Sequence, residues 1–75
     1  MSTVVFDHLK DAVALGAGIR ADAHALTPPQ WVQLAAMAAQ TGARIEVAHA
    51  QRLTPSQRAT LAETAGALIL FDFGG

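Results

Sequence analysis

The chain has no cysteine and no tyrosine, one tryptophan and three phenylalanines among 75 residues. Without thiols there is no disulfide, no thiolate metal site and no cysteine nucleophile, and cysteine usage leaves the redox compartment open. Charge is scarce as well: five Lys and Arg stand against six Asp and Glu, 15% of the chain, for a net −1. So sparse a positive charge supplies no long-range field to attract nucleic acid or an anionic lipid surface. No apolar run approaches the roughly 18 residues of a membrane span, and the first residues lack the basic-then-apolar order of a signal peptide. These absences lead to the expectation of a cytoplasmic, soluble protein whose partners include neither nucleic acid nor membrane.

What is present is aliphatic. The hydrophobic fraction is 52%, but with few aromatics much of it is alanine, which buries little area per residue. A single domain over 1–75 is then close to the size at which one core gives only a narrow margin, and self-association would widen it.

The stretch Leu26-Thr27-Pro28-Pro29-Gln30 and its echo Leu53-Thr54-Pro55-Ser56-Gln57 mark the start of the same unit twice. Each reads as a helix N-terminus. Thr caps the N3 amide, Pro at N1 needs no amide partner, and Gln at N3 reaches back to the cap N–H. Leu before the cap can staple onto N4.

Ahead of the first copy, Val5, Leu9, Ala12 and Val13 recur at helical spacing, predicting a helix over 3–15 capped by Ser2 or Thr3, with a short strand at Val4-Val5-Phe6 as the competing reading. Gly16 and Gly18 end it. From Ile19 the period becomes two: Ile19, Ala21, Ala23 and Ala25 alternate with Arg20, Asp22 and His24, a strand with one wet face. Trp31, Leu34, Ala35 and Ala38 then form a helical stripe closed by Gly42, and a second strand starts near Arg44 with Ile45 and Val47 on one face. The third unit carries Leu61, Ala62 and Ala65, turns at Gly66, and ends in a strand from Ala67 to Phe73 that is apolar on both faces.

Aligning the helix-ending glycines superposes Gly16-Ala17-Gly18-Ile19, Gly42-Ala43-Arg44-Ile45 and Gly66-Ala67-Leu68-Ile69 at offsets of 26 and 24 residues. Three helix–strand units, about 2–25, 26–52 and 53–75, tile the chain. Parallel strands joined by right-handed crossovers give strand order 1-2-3 with every helix on one face. The expected fold is therefore α/β, a short one-sided solenoid-like layer on a parallel three-stranded sheet. It resembles the leucine-rich repeats in plan, without their Asn or Cys ladder, and the resemblance implies architecture only. The helix-covered face would hold Ile19, Ile45, Ile69, Val47, Phe71 and Phe73 against Leu9, Val13, Trp31, Leu34, Leu61 and Ala65. The bare face would carry Arg20, Asp22 and His24, then Arg44, Glu46 and Ala48, then Leu68, Leu70 and Asp72. Arg20 falls beside Glu46 in that register, and Leu68 and Leu70 sit in water.

Residues able to carry chemistry are few and dispersed. His8, His24 and His49 fit no metal-pair spacing, although a slipped register would stack His24 on His49. No carboxylate pair shares an evident cleft, Ser and Thr serve mainly as caps, and there is no nucleophile elbow or phosphate loop. The expectation is a protein that is not an enzyme and takes no cofactor and no metal. The tail Phe73-Gly74-Gly75 resembles the Gly-Gly end of ubiquitin-like carriers and modifiers, over two residues, which implies activation by adenylation.

The leading expectation is a self-associating structural or scaffold module, in dimer or filament form. Its interface would be the open sheet edges and the outer face of the last strand: Leu68, Leu70 and Asp72, with Arg20, Arg44 and Glu46 beside them. A small regulatory domain that binds a different protein on the same surface is the alternative, and a Gly-Gly carrier the further one.

Overall fold

The computed structural model describes residues 2–74, with side chains from residue 6 onward. It is a small α/β domain of three helices and a three-stranded parallel sheet. In chain order the elements are α1 (Ser2–Ala14), β1 (Ile19–Asp22), α2 (Pro28–Thr41), β2 (Ile45–Ala48), α3 (Pro55–Ala65) and β3 (Ile69–Asp72). Short 3₁₀ turns at Ala23–Ala25, Ala50–Arg52 and Gly66–Leu68 link them. The first segment is thus helix, not the competing strand. Ser2 and Thr3 lie within the backbone span of α1, while the expected side-chain cap, the Val5 side chain and Gly75 lie outside the described residues.

Both Thr-Pro stretches form the expected helix starts. Thr27 Oγ1 accepts from Gln30 N–H at 3.4 Å while Gln30 Oε1 accepts from Thr27 N–H at 2.9 Å. Thr54 and Gln57 repeat the exchange at 3.1 and 2.9 Å. Each box satisfies two amides that the helix itself leaves unpaired. At the other end, Gly16 and Gly42 adopt φ of +84° and +82°, which residues with a side chain rarely do. Around Gly16 the Ala17 N–H reaches Ala12 O and the Gly16 N–H reaches Val13 O, a Schellman closure. The Thr41 hydroxyl donates to Val13 O at 2.8 Å, tying the end of α2 to that of α1.

The sheet order is β1-β2-β3. Its register aligns Ile19 with Ile45 and Ile69, Arg20 with Glu46 and Leu70, Ala21 with Val47 and Phe71, and Asp22 with Ala48 and Asp72. That is the register obtained by aligning the glycines, and the slipped pairing of His24 with His49 does not occur. α2 lies between α1 and α3 and packs against both. Val13, Trp31, Leu34, Ile45, Val47 and Leu61 are fully buried between helices and sheet, each contributing about 1.5–3 kcal/mol from removal of its side chain from water. Ala35 and Ala38 are buried too, so α2 approaches its neighbours closely.

Four expectations are corrected. β1 stops at Asp22 and does not alternate through Ala25, because the Asp22 carboxylate accepts its own chain's His24 N–H at 2.8 Å and turns the backbone into 3₁₀ geometry. β3 starts at Ile69, since Gly66 (φ +60°) opens a turn through Leu68. Leu68 is consequently half-buried against the core and does not stand in water. Phe73 lies past the strand end, 53% exposed, outside the core it was expected to join.

Candidate functional site

The six side chains expected to form an interface surround one face of the sheet. Residues that face away from the helices are Arg20 and Asp22 on β1, Glu46 and Ala48 on β2, and Leu70 and Asp72 on β3. Arg20 organises this face. Its guanidinium donates to Glu46 on the neighbouring strand and, at 3.1 Å, to Asp72 Oδ2 on the strand beyond. One cation therefore spans the sheet and joins all three strands. Exposed as the three groups are, each pair is worth no more than a few tenths to about 1 kcal/mol, but it fixes where the charges point.

Leu70 completes the row Arg20–Glu46–Leu70 and is 60% exposed, the most exposed large apolar side chain of the sheet. Beside it, a shallow depression of about 550 Å³ runs across the starts of the strands, between Arg20, Arg44, Glu46, Leu68 and Leu70. Arg44 is exposed and makes no ion pair among the described residues. All six expected residues thus line one continuous surface, with Leu68 at its margin.

A second cluster lies at the carboxyl ends of the strands. Asp22 Oδ2 is 2.7 Å from His49 Nδ1, and Arg52 donates to the same carboxylate at 3.3 Å. His49 has left-handed backbone geometry, φ +55° and ψ +46°, and no other non-glycine residue described here has a positive φ. It is one residue extra: Ile19 and Ile45 are 26 apart, whereas Leu26 and Leu53 are 27 apart. The other strand ends explain why it is needed. Asp22 turns the chain by accepting from His24 N–H, and Asp72 does the same with Gly74 N–H at 2.8 Å. Ala48 has no carboxylate, so the additional residue makes that turn in its place. Sequence reasoning missed this cluster, although the mismatch of offsets was its signal.

The electrostatics follow the hydrogen bonds. Asp22 is held below the ordinary carboxylate pKa of 3.8, first by the His24 amide and then by His49 and Arg52. Asp72 is lowered likewise, first by the Gly74 amide and then by Arg20.

No protein family, curated protein or solved structure matches the chain. Chemistry must therefore be read from the groups themselves. Among the described residues no set of three or more His, Asp or Glu could hold a metal ion, and no helix is long and apolar enough to cross a membrane. All three strands are parallel, without the opening hairpin of the ubiquitin-like carriers that the tail resembles.

Proposed function

We propose that this protein is a non-enzymatic structural module that binds further copies of itself through its open sheet edges and the apolar outer side of β3. The observation that carries this reading is Leu70, a large apolar side chain 60% exposed on an edge strand, with Phe73 53% exposed next to the same edge. Large exposed apolar groups gathered on one edge mark a contact surface more often than scattered ones do. Burying a Leu or Phe is worth about 1.5–3 kcal/mol, against about 4 kcal/mol or more for lost freedom on association. Leu70 and Phe73 are already partly covered and each gains roughly half of that, so one Leu is insufficient and the two pairs from two copies need the new edge hydrogen bonds to make a weak complex.

The accompanying architectural reading is a short solenoid-like layer. Its support is the same capping box at the start of two units and the same register of isoleucines on every strand. Solenoids expose their end strands, which favours stacking unless polar units cap them.

Light scattering on a sizing column over a concentration series tests the proposal. Mass that rises with concentration, and falls back to the monomer value on Leu70→Lys with the circular dichroism unchanged, is the expected result. A monomer at every concentration overturns it. That outcome leaves the second reading, a regulatory domain docking a different protein on the same face. The mixed lining of the depression beside Leu70, with Arg20, Arg44 and Glu46 around an apolar floor, favours that reading over the carrier.

A further inference from the structure

β3 is an edge strand with apolar side chains on both of its faces. Ile69 and Phe71 pack toward the helices and Leu70 faces the open side. Nothing on it blunts an edge: there is no lysine, no proline and no unpaired inward charge. Its one charged residue, Asp72, is already held by Arg20 and by the Gly74 amide. The opposite edge, β1, carries Arg20 and Asp22 and is thus marked by charge on the open face.

Two ways of extending the sheet with a second copy differ in what they bring together. Head to tail, in the register the sheet already uses, β3 of one copy lies beside β1 of the next. Asp72 then meets Asp22 of the second copy, and Leu70 meets Arg20. Like charges placed opposite one another oppose pairing, and Leu70 stays beside a charged side chain. The alternative is a two-fold axis normal to the sheet, midway between the two β3 strands at the level of Leu70. Leu70 then lies beside Leu70 of the second copy, Ile69 beside its Phe71, and Asp72 beside its Leu68. The period of two along a strand keeps each side chain on its own face, so the helices of both copies stay on one side. No like charges are opposed, and an isologous contact of this kind closes at two.

Resting on the self-association proposed above, we infer that the occupant of the β3 edge is a second copy of this chain, paired antiparallel about Leu70 in a continuous six-stranded sheet. The two Leu70 side chains would stand opposite each other in the middle of the new pair, within reach of a disulfide if replaced by cysteine.

The chain has no cysteine of its own, so an introduced one reports alone. Under mild oxidation Leu70→Cys should form a covalent dimer at least about tenfold faster than Leu15→Cys, since a held pair has an effective concentration near millimolar. Leu15, 86% exposed at the end of α1, supplies the rate of random collision. The double variant Arg20→Cys/Leu70→Cys should stop at the dimer. Ladders of higher covalent species from it would overturn the antiparallel pairing in favour of head-to-tail stacking. A protein that dimerises by light scattering but crosslinks no faster through Leu70→Cys than through Leu15→Cys would overturn the pairing and leave self-association standing. A monomer at all concentrations would overturn both.

Discussion

Trp31 and Arg58 are structural counterparts. Each is the fourth residue of a helix opened by a Thr-Pro capping box, and each donates to the carbonyl eight residues before it: Trp31 Nε1 to Ala23 O at 2.9 Å and Arg58 to Ala50 O at 3.2 Å. Both acceptors are the first residue of a 3₁₀ turn. The surroundings differ, because α3 packs against α2 whereas, among the described residues, no further α-helix packs on α3. Trp31 is only 1% exposed, while Arg58 is half-buried, adds a bond to Leu53 O and lies 5.3 Å over the Phe73 ring.

Removing the inner member of this pair should cost more than removing the outer one. Trp31→Phe leaves the buried Ala23 carbonyl without its donor and opens a small void, for an expected loss of about 2–4 kcal/mol. Arg58→Met loses bonds at a site water can reach, about 1 kcal/mol. Urea unfolding of the two variants against the parent chain measures the difference.

The two caps should respond alike. Thr27→Ala and Thr54→Ala are each expected to lower stability by about 1 kcal/mol, with Ser at either position restoring most of it. Chemical denaturation with matched m-values checks this, and a loss confined to one site would break the equivalence of the two helix starts.

His49 offers a backbone test. Its left-handed geometry is tolerated by glycine and costly for branched side chains. His49→Val should lose about 1–3 kcal/mol, whereas His49→Gly should retain stability close to the parent, with relief of strain offsetting the lost contact to Asp22. If Gly proves as damaging as Val, the imidazole–carboxylate contact outweighs the backbone.

Acid should weaken the fold through Asp22 and Asp72. Both have folded-state pKa values below 3.8, so their contribution is in place above the unfolded value and is lost as pH falls through the folded ones. Stability measured from pH 5 downward should decline more steeply for the parent than for Asp22→Asn/Asp72→Asn. Equal slopes would show that these carboxylates are not lowered.

Much of the architecture was legible because it depends on neighbours in sequence. Thr27 and Thr54 cap helices through atoms three residues away. Gly16 and Gly42 close them for reasons of backbone geometry alone. Alternation at Ile19-Arg20-Ala21-Asp22 and Ile45-Glu46-Val47-Ala48 named the two faces of the sheet, and the pairing of Arg20 with Glu46 followed from the register. Leu68 was misread because the alternating pattern extends past the point where Gly66 turns the chain into 3₁₀ geometry. Nothing in a period of two marks where a strand begins.

Local chemistry written in the sequence therefore determined which segments become helix and strand, where α2 and α3 start and stop, and which residues of β1 and β2 turn away from the core. Only the tertiary structure decided that Arg20 reaches across β2 to Asp72, that His49 turns left-handed to meet Asp22, and that Phe73 leaves the core to lie under Arg58. Those contacts join residues far apart in the chain. They depend on the distance between strands and on where each turn carries its side chains, quantities set only once the helices have packed on the sheet.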